Sequence, residues 1–235
     1  MRRLFCLVVL MSVLIVGTDV GAAASEALAV DAGVDLYSRY VWRGVDIGNS
    51  PSIQPALSAT LHGVQLGAWG AYSVSSESSV NDEIDFWLSY TRQFENDAAI
   101  ALVVTDYCFP NSNVKFSSSD AHTLETGVSI TGPKGFPLVM AGYVNVSNDD
   151  GNNTYFQLDY PASVGDVDLR FSFGVAGGSD QNPDYYGTGN TNVVNVGISA
   201  SRDIEVTDRF SVPLTGSLIY NPRAELAYLV VGLSF

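Results

Sequence analysis

Ten charged side chains recur at every second position of runs whose intervening residues are apolar: Asp31, Asp35, Arg39, Arg43, Glu83, Asp85, Glu125, Asp159, Asp168 and Arg170. A period of two puts such residues on one face of a strand and their apolar neighbours on the other. Seven acids and three bases sharing one face of a closed sheet would line a polar interior. They would either bias passage toward cations or neutral polar solutes, or pair across the interior and fill it. A catalytic set is harder to find. His62 and His122 fall in segments predicted at opposite ends of the strands, there is no G-x-S-x-G element, and no two histidines have metal-ligand spacing. His122 stands near Ser119 and Asp120, a neighbourhood that reads as solvated loop. Cys108, beside Phe109 and Pro110, has no basic neighbour to activate its thiol. The Asp- and Asn-rich stretches at 148–153 and 177–184 lack the twelve-residue calcium spacing that ends in Glu. The expectation is no enzyme, no metal and no cofactor.

The elements that must position these charges are strands. Val30, Val34, Leu36, Tyr40 and Trp42 alternate with Asp31, Asp35, Tyr37, Arg39 and Arg43, which predicts a first strand continuing through Arg43. The same alternation recurs in Ile84, Phe86, Leu88 and Tyr90 against Glu83, Asp85, Trp87 and Ser89, and in Val167, Leu169, Phe171 and Phe173 against Asp168, Arg170 and Ser172. About twelve strands are predicted, with ten or eleven as alternatives; no amphipathic helix interrupts them. The segment from residue 98 to 109 is apolar on both faces near its start, so its facing is left open. Pro55 is expected to mark a bulge, because its missing N–H breaks a ladder bond.

Connections alternate in length. Short ones fall at 62–63, 93–97, 132–135, 161–165 and 202–208; longer polar ones fall at 45–51, 75–82, 110–121, 147–153 and 177–191, before a brief last link at 221–224. Strict parity of this kind predicts an all-β, closed antiparallel up-and-down transmembrane β-barrel, with its short turns on the periplasmic side. On that reading Tyr40, Trp42, Tyr72, Tyr90, Tyr160 and Phe235 are interface aromatics at the headgroups, with Phe109, Phe156 and Tyr220 in the same role. Tyr37, Trp69, Trp87 and Tyr155 would point inward.

The N-terminus opens with Arg2 and Arg3, an apolar run from Leu4 to Val16, and small residues at Ala22 and Ala24. That is the grammar of a secretory signal peptide, residues 1–24, with Ala29 as an alternative last residue before cleavage. The remaining domain, 25–235, would carry 24 acids and 9 bases. So acidic a chain has no basic footprint for nucleic acid. It would keep Cys108 as its single cysteine, so no intramolecular disulfide is expected.

The chain ends YLVVGLSF, with Leu229, Val231, Leu233 and Phe235 on one face. An aromatic last residue after alternating hydrophobics resembles the signal that outer-membrane barrels present to their insertion machinery. Near the other end, SRYVWRG (Ser38 to Gly44) resembles the first-strand signature of the TorF family of porin-like proteins. That resemblance covers the layout from Val30 to Phe235, but a specific motif only at Ser38 to Gly44. It implies a Gram-negative outer-membrane barrel of this length and gives no solute. The expected function is a porin-like channel for passive diffusion of small polar solutes, with outer-membrane lipid, the insertion machinery and those solutes as partners. The alternatives are a non-conducting structural or adhesive outer-membrane barrel and a soluble exported β-sandwich binding module.

Overall fold

The computed structural model describes residues 27–75, 82–111, 114–149, 151–178, 186 and 190–235. The signal-peptide segment lies outside them, as does most of the 177–184 stretch. The described chain is all-β. Its wall comprises β1 (Ala29–Tyr37), β4 (Ser52–Leu61), β5 (Val64–Ser73), β6 (Glu83–Gln93), β7 (Ala99–Cys108), β8 (His122–Thr131), β9 (Val139–Ser147), β10 (Thr154–Val164), β11 (Val167–Gly177), β12 (Asn192–Thr207), β13 (Phe210–Asn221) and β14 (Leu226–Ser234). These twelve strands form one closed antiparallel barrel in sequence order. Two further short strands, β2 (Val41–Trp42) and β3 (Val45–Asp46), pair only with each other.

Closure falls between β1 and β14, over three register pairs from Asp35↔Ser234 to Tyr37↔Gly232. Reciprocal backbone bonds of 3.0 Å between Val34 and Phe235 extend that seam by one step. Pro55 does not bulge β4. Cross-pairing to β5 lapses at Gln54 and Pro55 and resumes in the same register at Ile53↔Tyr72 and Ala56↔Trp69. The bulges lie at Leu124/Glu125, Gly174/Val175 and Glu205/Thr207.

Period two sorts the side chains inside out. The outer face carries Leu36, Leu57, Leu66, Leu88, Leu102, Val128, Phe156, Phe171, Ile198, Leu218 and Leu229, all exposed. The buried set is instead rich in Gln54, Glu83, Asp85, Thr105, Glu125, Asn145, Gln157, Asp159, Asn195 and Ser217. Water-soluble domains bury the first kind and expose the second. β7 resolves its ambiguous start the same way, with Ile100, Leu102 and Val104 outward and Ala101, Thr105 and Tyr107 inward. Several interior polar groups bond to one another: Trp87 Nε1 donates to Gln65 at 3.0 Å, and Asp159 accepts from Gln157 and Ser172 at 2.6 Å each.

Candidate functional site

The first strand stops earlier than its alternation predicts. β1 ends at Tyr37, and residues 38–50 turn into the barrel from the end that carries the long connections. Ser38 marks the departure: its N–H still donates to the Val231 carbonyl at 2.8 Å, and its hydroxyl accepts from Val231 N–H at 2.9 Å. Beyond it the chain forms a two-residue hairpin, Trp42↔Val45 and Val41↔Asp46, with Arg43 and Gly44 at its tip. Both tip residues have positive φ, 48° and 84°, the geometry of the primed turn that matches strand twist. Such a conformation costs a non-glycine residue about 1–2 kcal/mol. At Gly44 no side chain fits, since a Cβ there would collide with the Val194 carbonyl oxygen. Asn221 holds the tip from the other side, donating to the Gly44 carbonyl at 3.1 Å.

Within this inner ribbon the period of two still operates, but both faces now meet wall. Tyr40 and Trp42 pack with Trp69, Tyr107, Tyr143, Tyr155, Tyr186 and Val194, while Val41 packs with Tyr37, Ile219 and Val230 on the opposite side. The ribbon therefore spans the lumen from the β5–β12 arc to the β13–β14–β1 arc. Arg39 pairs with Asp46 across the hairpin, and Tyr40 donates to Glu83 at 2.9 Å.

Arg43 is the centre of the arrangement, with 2 % of its surface exposed. Its two terminal nitrogens bond to the two oxygens of Glu125 at 2.7 and 2.8 Å, a fork-to-fork ion pair. The first of them also donates to the Tyr186 hydroxyl at 2.7 Å. Tyr107 donates to the same Glu125 carboxylate at 2.9 Å. The guanidinium lies 4.5 Å from the Trp42 ring centroid, 4.5 Å from that of Tyr143 and 4.4 Å from that of Tyr155, within the range of cation–π attraction. Tyr186, from the connection after β11, stacks between Trp42 and Tyr155 at 5.4 and 5.6 Å. Tyr143 can lie flat against the wall because its cross-strand neighbour is Gly127, where a Cβ would strike the ring.

The other charges are more dispersed. Glu83, Asp85 and Asp159 are buried inside the barrel. Asp35 is half-buried on β1, and Asp31 is exposed near the start of that strand. Asp168 and Arg170 line a cavity of about 170 Å³ with Ser172, Asn195, Ser199 and Thr215, roofed by Val41, Arg43 and Gly44. That is below the 300–1,000 Å³ of sites for drug-sized ligands. The ribbon thus crosses the lumen on the side of the long connections, and this cavity lies beneath it toward the short turns.

Two expectations need correction. Arg39 and Arg43 are not on β1, because the strand ends before them. Tyr40 and Trp42 are interior residues, 6 % and 9 % exposed, rather than aromatics on the outer face. Tyr72, Tyr90, Tyr160 and Phe235 do lie exposed on the outside, at 39 to 54 %. His122 bonds to Asp106 at 2.9 Å and to the Phe116 carbonyl at 2.7 Å, which occupies both ring nitrogens and leaves Ser119 and Asp120 out. In the 148–153 stretch Asp149 turns its carboxylate onto protein donors: Asn153 N–H at 2.7 Å, and the side chains of Asn145 and Asn153 at 2.8 Å each. Burial opposes its ionisation, but these bonds outweigh it and hold its acidity stronger than that of an ordinary aspartate.

Sequence reasoning missed three partners of Arg43, namely Tyr107 and Tyr143 on the wall and Tyr186 in the connection after β11. Two signals could have found the ribbon. Ser38 falls on the outward register, where an apolar residue belongs, and Trp-Arg-Gly-Val carries the x-Gly hairpin pattern between β-forming residues.

The fold and site together define a class: a closed twelve-stranded barrel with an inside-out surface and an arginine-latched ribbon folded into its lumen. The chain belongs to the Gcw_chp family, bacterial proteins of unknown function, whose family model matches residues 21–212. That span includes the ribbon and every residue named around Arg43, but not β14. No curated protein matches the chain.

Proposed function

We propose that this protein is an outer-membrane, porin-like barrel whose passage for small polar solutes is shut by the ribbon at residues 38–50. The observation that carries the reading is the independence of plug from wall. β2 and β3 form no ladder with the barrel, which closes through β1–β4 and β1–β14 without them. Displacing the ribbon costs the Ser38 bonds, the Tyr40–Glu83 and Asn221 bonds, the Arg43 cage and the packing of Tyr40, Val41 and Trp42 against the wall, but leaves the wall's own ladders in place.

The outer-membrane part of the proposal rests on the exposed apolar belt. A monomer in water rarely exposes a contiguous apolar patch above a few hundred Å², whereas here every wall strand carries exposed large apolar side chains. The C-terminal strand, with Leu229, Val231, Leu233 and Phe235 outward, fits the role of insertion signal. The likeness of Ser38 to Gly44 to the TorF signature supports the same assignment, with its residues serving the ribbon rather than a first strand. Once open, a lumen bearing Glu83, Asp85, Glu125 and Asp159 would favour cations and neutral solutes over anions, by passive diffusion without turnover. A second reading, a permanently closed structural barrel, is favoured by the burial of Arg43 and its two-point pairing with Glu125.

Heat-modifiable gel migration of the detergent-extracted protein tests for a membrane barrel. Planar-bilayer recording and liposome swelling with neutral sugars then separate the two readings. Rare openings with cation preference are expected; a chain with no conductance even when the ribbon is released by mutation would establish the closed barrel.

A further inference from the structure

Most of the cage around Arg43 belongs to the wall, with Tyr186 contributed by the connection after β11 and Trp42 by the ribbon. Glu125, Tyr107, Tyr143 and Tyr155 come from four consecutive strands, β8, β7, β9 and β10, and hold their places by the barrel's own ladders. Tyr143 and Tyr155 are direct cross-strand partners, and Tyr107 on the neighbouring strand donates to Glu125 at 2.9 Å. The ribbon supplies one aromatic face, Trp42, and the cation itself. Removal of the ribbon would leave a carboxylate with both oxygens presented to a planar donor, flanked by two tyrosine rings.

We infer that this part of the wall is a receptor for guanidinium-bearing small molecules, and that Arg43 is its tethered occupant. The chemistry is specific. Two parallel N–H···O bonds, 2.7 and 2.8 Å long, match a planar fork. A primary ammonium could satisfy only part of that geometry, and an anion is refused by the carboxylate. Ring faces 4.4 and 4.5 Å from the cation reward a delocalised, weakly hydrated ion. A guanidinium solute arriving from the long-connection side would compete with Arg43, and by occupying the wall it would stabilise the displaced ribbon. Solute class and opening are then one event. The inference rests on the reading of the ribbon as a displaceable plug.

The test uses the full barrel in detergent micelles and in bilayers, with methylguanidinium as probe and methylammonium as comparison. Arg43→Met, verified as folded by heat-modifiable migration, should bind methylguanidinium at least tenfold more tightly than the wild type, read by tyrosine and tryptophan fluorescence. It should prefer it at least tenfold over methylammonium, and Arg43→Met with Glu125→Gln should lose both gains. In wild-type protein, millimolar methylguanidinium should increase tryptic cleavage after Arg39. Absence of methylguanidinium binding to folded Arg43→Met, or equal binding of both cations, overturns the inference. Should the variant fail to fold, the wild-type cleavage assay decides it: no dose-dependent cleavage is the overturning result. Binding without conductance in any variant would uphold the receptor while rejecting the channel.

Discussion

Replacing Glu125 with glutamine should release the ribbon and leave the wall intact. In the closed state the buried Glu125 carboxylate accepts two bonds from Arg43 and one from Tyr107, all 2.7 to 2.9 Å long. Glutamine keeps the volume but removes the counter-charge, and its amide N–H groups would oppose donors already in place. Leaving one member of a buried ion pair uncompensated costs about 3–5 kcal/mol. With the ribbon displaced, both groups are hydrated and the substitution costs little. The closed–open equilibrium should therefore tilt by roughly a hundred- to several-thousand-fold toward open. Two assays read it: open probability in planar bilayers, and tryptic cleavage after Arg39 and Arg43, of which Arg43 is buried when closed. Adding Arg43→Met should partly restore closure, because a neutral pair of similar size carries no desolvation penalty. The coupling should reach about 2 kcal/mol. A Glu125→Gln protein with unchanged cleavage and open probability, or additive effects of the two substitutions, would refute the latch.

Three further outcomes follow from the geometry. Gly44→Ala should expose the ribbon to trypsin while heat-modifiable migration stays normal, since its Cβ meets the Val194 carbonyl at a φ of 84°; unchanged protection would contradict the packing of the tip. Leu88→Arg, at an exposed outward position midway along β6, should destabilise the bilayer-folded barrel by about 2–4 kcal/mol in urea titrations, and an effect below about 0.5 kcal/mol would argue against lipid contact there. For Asp149 the folded acidity is shifted below the ordinary value of 3.8. Its contribution is then fully present above that value and lost as pH falls through the lower folded one. Pepsin nicking within residues 148–153 should rise only in that acid window for the wild type, and already at pH 4–5 (roughly one unit above the ordinary value) for Asp149→Ala.

Much of the wall was legible because a two-residue period has a direct geometric reading: alternate residues must face opposite sides. Spacing alone therefore puts Glu83, Asp85, Glu125 and Asp159 on the inward face, where all four are buried. Loop parity similarly implies an up-and-down order. The ribbon was not legible for the same reason. Tyr40, Trp42 and the arginines resume the alternation of β1 in the same phase, so only Ser38 and the Arg-Gly turn signal mark where the strand leaves the wall. What distinguishes the ribbon from a continuing strand is the far side of each residue, which for Trp42 is Tyr107 and Tyr186 rather than the outer face. Those contacts span 65 and 144 positions along the chain by its numbering, beyond the reach of any local rule. The cage was hidden likewise, since only Tyr155 among its tyrosines reads as inward from spacing, and nothing local joins it to Tyr107, Tyr143 or Glu125.

The long sequence separations in the ribbon's contacts also impose an order of assembly. The ribbon lies between the first two wall strands, but its anchors arrive late: Glu125 is 82 residues downstream of Arg43, Tyr186 is 143, and Asn221 is 177 residues beyond Gly44. Loop-closure entropy makes such contacts slow to form. Until β8 has joined the growing sheet, Arg43 has no carboxylate to hold it, and until β13 has joined, the tip has no Asn221. The plug is therefore seated near the end of folding, as β14 meets β1. A chain that stalled before that step would leave an unclosed sheet with a loose basic arm, an intermediate that trypsin can recognise and the finished barrel conceals.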